Sequence, residues 1–380
     1  MGKVIIITYA NFPNGEAASV RINCIAKLIQ ICGHEPIIIS MSRVKPFIWN
    51  TYEGIKYISI RTKKTNTISK IINYILLGKL ALKVIKSIDD IFAIMPLSLP
   101  LNAMLEIENF TKKRSLLLLT DRTEWYSTSE FNMGFFSIEY QQNNITNKYI
   151  IDKYWRVISI STYLENYYKS KRIRTVRVPA VMDICEFKNI EKYRQNSKYI
   201  IIYAGSPAKK DSLDMMVKAV SLLKKRQQDR IDFRVIGVTK DNFKKLYSDI
   251  SISSCITFYG RLPRNEVKEH LEVADFTMLL RNNNERFSKA GFPSKVAESM
   301  SAGIPVITNY TTDLKKYLID EKNSIIVKEY SVESFADAVA RVLDFSDDKI
   351  NYLRKEAIKT ARKYFWYINY IQEIQELLKI

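Results

Sequence analysis

The sequence predicts an α/β protein with two Rossmann-like halves, and three observations carry that expectation. An apolar run from Lys3 to Tyr9 leads into a turn-rich loop, a helical period from about Ala18 to Cys32, and a second run at Pro36–Ile39. The same order returns later: Tyr199–Ala204 as strand, Gly205-Ser206-Pro207 as loop, then a helix from Asp211 to about Arg226. The chain has 380 residues, 47% hydrophobic and 26% charged, enough for two cores.

In the first half, Gly33 stops the first helix, and residues 42–66 read as a hairpin or loop around Trp49–Tyr57. Residues 68–86 form a long apolar segment sprinkled with lysines. Two readings stand side by side: a basic amphipathic surface on a membrane, or a core helix with snorkelling lysines. Strands follow at Ile91–Ile94 and Ser115–Asp121, with a helix around Leu101–Phe110 between them. Another strand spans Tyr154–Ser161 and a helix Thr162–Lys171. A linker is expected near 185–195, giving domains 1–187 and 188–363 and a terminal helix 364–380.

In the second half, strands are expected at Phe233–Gly237, Ile256–Gly260, Ala274–Arg281, Ile304–Ile307 and Ser324–Val327, with helices between and after them. No GxGxxG occurs, which argues against a dinucleotide cofactor.

The formal charge is +19, spread over both halves: 26 Lys/Arg against 15 Asp/Glu up to residue 190, and 33 against 25 beyond it. Such an excess suits anionic membrane, nucleic acid or phosphorylated ligands, and equally a plain lysine bias. No nucleic-acid reading motif accompanies it, so no nucleic-acid partner is expected. Four scattered cysteines and two histidines give neither a disulfide framework nor a metal motif. No apolar run reaches the roughly 20 residues needed to span a bilayer, and the start lacks a signal-peptide pattern, so a cytoplasmic location is expected.

The most informative stretch is Phe292–Ile307, FPSKVAESMSAGIPVI. Pro293 and an N-cap at Ser294 open a short helix, Gly303 closes it, and a buried strand follows. The amino end of such a helix suits phosphate, and Glu298, about one turn along, suits ribose hydroxyls. An ordinary αβ unit with a solvated glutamate fits the same geometry.

The order of residues from Lys289 to Ile307 resembles the nucleotide-sugar site of retaining GT-B glycosyltransferases, particularly glycosyltransferase family 4 and its bacterial surface-polysaccharide members. The resemblance implies two Rossmann-like domains facing across a cleft, with the C-terminal helix crossing back to the first. It also implies a nucleoside-diphosphate sugar donor, a lipid-linked or oligosaccharide acceptor, peripheral contact with an anionic inner membrane, and no metal requirement. On this likeness Glu298 takes the ribose, while the family's first glutamate is replaced by Ala290, and Glu285, five residues upstream in the same expected loop, could substitute.

By the same likeness Gly15 and Arg21 belong to the loop and helix facing the cleft. Asp121 and Glu124 follow a strand and orient or deprotonate an acceptor hydroxyl; a loop ion pair with Arg122 is the plain alternative. Lys210 matches the family's diphosphate lysine, and Ser206 stands where its arginine is usual, leaving Lys209, Arg281 or Lys295 to complete the clamp. Arg261 lies toward the base; Gly291, Phe292 and Ser294 complete the donor loop. Two other classes remain: a silent GT-B subunit supporting a partner transferase, motivated by Ala290 and Ser206, and a basic nucleic-acid-binding protein.

Overall fold

The structure is a computed structural model that describes residues 2–13, 17–42, 44–61, 67–187, 197–205 and 209–379. The chain divides into two compact units, 1–181 with 367–380, and 182–366. The first break therefore falls a few residues ahead of 187, and the return to the first unit falls after 364.

The first unit holds an eight-stranded sheet. Its strands are β1 (Lys3–Thr8), β2 (Glu35–Ser40), β3 (Trp49–Tyr52), β4 (Ile55–Ser59), β5 (Ile91–Leu97), β6 (Leu117–Arg122), β7 (Trp155–Ser159) and β8 (Arg174–Arg177), in the order β3-β4-β2-β1-β5-β6-β7-β8. Only β3 and β4 pair antiparallel, through a turn in which Glu53 and Gly54 both take positive φ. The isoleucine run of β1 is buried, as a parallel strand covered on both faces requires.

Helices α1 (Ala17–Ile31), α2 (Thr67–Ile85), α3 (Leu101–Lys113), α4 (Ile138–Ile145) and α5 (Thr162–Ser170) belong to this unit. The core reading of residues 68–86 accounts for one face of α2. Leu77, Ala81 and Ile85 are buried, whereas Ile72, Ile75 and Leu76 are exposed. Gly78 lets α3 approach closely, since a Cβ there would lie 2.9 Å from the Ala103 Cα. The terminal helix is shorter than expected, Ile371–Leu378, after a 3-10 turn at Tyr367–Tyr370. Its Ile374, Leu377 and Leu378 join the core formed by Ile22, Ile25 and Val176. Arg156 donates to the Leu377 carbonyl in its last turn at 2.6 Å, and Arg174 to the carbonyl of Lys379, just past its end, at 2.9 Å.

The second unit carries a six-stranded, all-parallel sheet: β9 (Tyr199–Ala204), β10 (Ile231–Ile236), β11 (Ile256–Gly260), β12 (Phe276–Leu279), β13 (Val306–Thr308) and β14 (Ser324–Ile326), ordered β11-β10-β9-β12-β13-β14. Its helices are α6 (Leu213–Leu222), α7 (Lys225–Gln228), α8 (Lys240–Leu246), α9 (Arg264–Glu272), α10 (Arg286–Ala290), α11 (Ser294–Ser301), α12 (Val332–Val342) and α13 (Asp347–Tyr364).

Two expectations are corrected here. The helix placed from Asp211 begins only at Leu213, because Ser212 takes the left-handed conformation (φ 43°, ψ 46°) and breaks it from the 3-10 turn Lys209–Asp211. The stretch before Gly291, read as a loop, contains the five-residue helix α10.

Candidate functional site

Ligands of open α/β sheets gather outside the carboxyl ends of strands where the strand order reverses. In the second unit that point lies between β9 and β12. A charged cluster is built there around Asp211. Its Oδ1 accepts from Arg281 Nε at 2.9 Å and lies 2.8 Å from Arg281 Nη2. Its Oδ2 accepts from Lys295 Nζ at 2.6 Å and from the Tyr203 hydroxyl at 3.1 Å. Burial alone would raise the Asp211 pKa, but Arg281 and Lys295 outweigh it and hold the carboxyl well below the usual range. Burial, with Asp211 beside it, pushes the Tyr203 phenol well up, so the hydroxyl remains a donor.

Local structure fixes each member. Arg281 follows β12, and its backbone N–H and C=O are both held by the buried Asn309 side chain, at 3.1 and 2.8 Å. Lys295 is the second residue of α11. That helix is pinned to β12 by the Ser299 and Thr277 hydroxyls, 2.6 Å apart. Gly205, at the end of β9, leaves the space Lys295 occupies: a Cβ there would sit 2.2 Å from Lys295 Cε. The cluster sums to one excess positive charge, two cations against one carboxylate, at the mouth of a parallel sheet.

Glu298 lines the same small void as Lys295. It is half-buried, and its carboxylate makes no hydrogen bond to any described residue. Burial raises its pKa, partly offset by Arg264 and Lys295. A carboxylate in that state is an acceptor lacking donors, which ligand hydroxyls would supply.

In the first unit the strand order reverses between β1 and β5. A cavity of about 470 Å³ opens there, lined among others by Thr8, Asn11, Arg21, Arg61, Asn73, Ser98 and Asp121. Arg21 and Asp121 form a buried ion pair on its wall.

The family model for glycosyl transferases group 1 matches residues 186–364, nearly all of the second unit. The chain carries a glycosyl transferases group 1 domain. Among curated relatives, the GDP-mannose-dependent alpha-(1-6)-phosphatidylinositol monomannoside mannosyltransferase of Mycobacterium tuberculosis is 24% identical over 156 residues, 40% of this chain and 40% of that protein. The chain thus spans less than half the length of the curated relatives it matches. Among solved structures, a sucrose-phosphate synthase from Thermosynechococcus elongatus superposes with a TM-score of 0.80 at 13% identity, covering 99% of this chain and 98% of that one. Anabaena HepE in complex with UDP and glucose gives a TM-score of 0.70 at 14% identity, covering 100% and 99%. The likeness extends over both units, so the whole chain has the GT-B fold expected from the sequence.

Within the group 1 domain the structure brings together Arg281, Lys295 and Glu298, and adds three residues that sequence reasoning missed: Asp211, Tyr203 and Asn309. Asp211 was legible only as the one acid in a basic loop at a strand end. Lys210 lies in the 3-10 turn with its ammonium 5.9 Å from the centre of the Phe287 ring, not at an α-helix start. Ser294 is the first helical residue, and Pro293 occupies the cap position without a side-chain bond.

Phe292 is corrected to a core residue, packed between Tyr317 and Phe365 with ring centroids 5.7 and 5.8 Å away. Gly291 ends α10 with φ −81°, which demands no glycine. Glu285 is half-buried at the cap position of α10, and Ala290 is fully buried inside that helix. Arg261 is exposed beyond β11, away from β12. In the first unit Asp121 is occupied by Arg21, not Arg122, which instead bonds Asn147 at 3.0 Å. Glu124 is half-buried and hydrogen-bonded to Tyr126, whose phenol burial and Glu124 push up. Gly15 and Ser206 lie outside the described residues, as does the Lys209 side chain.

Proposed function

We propose that this chain is a glycosyltransferase that moves a sugar from a nucleoside-diphosphate donor to a lipid-linked or oligosaccharide acceptor, with retention of anomeric configuration, in synthesis of a bacterial surface polysaccharide. The observation that carries the reading is the Arg281–Asp211–Lys295 cluster at the amino end of α11, with the unbonded Glu298 carboxylate one turn along. Diphosphate oxygens would meet Lys295, Arg281 and the helix dipole, and the ribose hydroxyls would donate to Glu298. Charge growing on the leaving diphosphate would be stabilised by these fixed cations without a metal. The group 1 domain supports the donor class, and HepE, at this fold, is known with UDP and glucose. The acceptor would enter the cavity of the first unit, where a cytoplasmic face of the membrane would present a lipid-linked one.

The test is a thermal-shift panel of UDP-, GDP-, ADP- and CMP-sugars, followed by donor hydrolysis with the best ligand. A shift by one donor class that Glu298→Ala abolishes supports the reading; no shift with any donor overturns it. Burial of Ala290, where the family has an acid, favours a second reading, a silent subunit. Donor binding without hydrolysis or transfer would select it.

A further inference from the structure

Asp211 owes its place to the residue that follows it. Ser212 is buried and takes φ 43° and ψ 46°, a left-handed conformation that glycine, asparagine and aspartate adopt far more readily than serine. A serine ahead of a helix ordinarily sits in the extended region and caps the helix with its hydroxyl. Here that hydroxyl makes no capping bond to α6. It lies instead 2.7 Å from the hydroxyl of Tyr330.

Tyr330 stands just before Ser331, the N-cap of α12, whose side chain accepts from the Ser334 N–H. Helix α12 is itself fixed, since Phe335 and Val339 share one core cluster with Met216 and Val220 of α6. The Tyr330 ring is thus anchored by two packed helices and reaches Ser212 from outside the charged cluster. The competing conformation is the one the sequence expects, a single helix running from Asp211. Right-handed φ and ψ at Ser212 would carry the turn Lys209–Asp211 directly into α6. That change would swing the Asp211 carboxylate off Arg281, Lys295 and Tyr203, which all bond it now. Backbone strain of this kind persists only where the surroundings enforce it, and it gathers at functional sites.

We infer that Tyr330 is a positioning residue for the donor site: its hydroxyl holds Ser212 left-handed, and Ser212 thereby aims Asp211 at Arg281 and Lys295. Tyr330 acts two steps away from the diphosphate and carries no charge itself. Its effect on donor affinity rests on the proposed transfer, whereas the link from Tyr330 through Ser212 to Asp211 does not.

The test uses what each substitution does to a left-handed residue. Tyr330→Phe keeps the ring and removes the hydroxyl. Ser212→Ala removes the partner hydroxyl and leaves a Cβ opposed to positive φ, while Ser212→Gly removes it and adopts that φ unaided. Titration calorimetry with UDP, GDP and ADP should show the preferred nucleotide bound about fivefold more weakly by Tyr330→Phe and by Ser212→Ala. Ser212→Gly, and Ser212→Gly/Tyr330→Phe, should bind it as wild type does. A residue that merely packs would leave affinity unchanged in Tyr330→Phe, and glycine would rescue nothing; either result overturns the inference. Thermal midpoints give a reading independent of the donor. Tyr330→Phe should lower the midpoint of wild type, and lower it less where Asp211→Asn has already released the cluster. Equal losses in the two backgrounds overturn the inference. If none of the three nucleotides binds wild type while that non-additivity holds, the donor reading falls and the positioning stands.

Discussion

Arg21 and Asp121, 100 residues apart in sequence, form a buried two-pronged ion pair: Nε to Oδ2 at 2.6 Å and Nη2 to Oδ1 at 2.8 Å. The rest of the guanidinium donates to the carbonyls of Pro179 (2.6 Å) and Val178 (3.0 Å). One arginine thus ties α1 to the ends of β6 and β8. Asp121→Ala would leave that cation buried without its counter-charge, at a cost of about 3–5 kcal/mol. Arg21→Met/Asp121→Leu should cost less than the sum of the single changes, measured as denaturant midpoints. A catalytic base at Asp121 would show the opposite pattern: Asp121→Asn would abolish turnover with stability intact.

Asp211 can act on Arg281 and Lys295 in two ways, and the sign of one measurement separates them. If it merely neutralises them, Asp211→Asn should tighten UDP binding by freeing positive charge. If it holds them in place, binding should weaken, and we expect roughly tenfold loss by titration calorimetry. Stability should fall as well. A carboxyl with a lowered folded pKa stabilises above its unfolded value, about 3.9, and loses that contribution as pH drops through the folded value. Wild type should therefore lose stability below about pH 4, with the Asn variant lacking that slope.

How much of this was legible follows from range. The strands and long helices are written in local apolar runs, and β1, α1, β2 and β9 appear where such runs predict them. Helix α11 was legible through Pro293, Glu298 and Gly303. Partnerships were not: Asp211 meets residues 70 and 84 positions on, and no local pattern encodes that. Helix α10 is too short to show a period, so Glu285 read as loop. Phe292 read as a ligand contact because its burial comes from Tyr317 and Phe365, which only the fold supplies.

Gly205 tests the geometry without touching a charge. A Cβ there would meet Lys295 Cε and Nζ at 2.2 and 2.6 Å, and these are the far end of a flexible side chain. Gly205→Ala should therefore fold, with a change in stability of about 1 kcal/mol or less. Lys295 must swing away, so its bond to Asp211 is lost and UDP affinity falls. Unchanged affinity would mean that Lys295 at this position does not hold the diphosphate.

Glu298 offers a pH signature of its own. Burial raises its folded pKa above the ordinary glutamate value, so protonation favours the folded state. The stabilising contribution is fully present below the unfolded value, about 4.3, and is lost as pH rises through the folded one. Glu298→Gln removes the titration, so the thermal midpoint of the variant should gain on wild type as pH rises from about 4 toward neutrality. Ribose hydroxyls donating to the carboxylate favour its ionised form, so a bound nucleoside diphosphate should narrow that gap. Equal pH profiles for both proteins, with or without UDP, would remove Glu298 from the site.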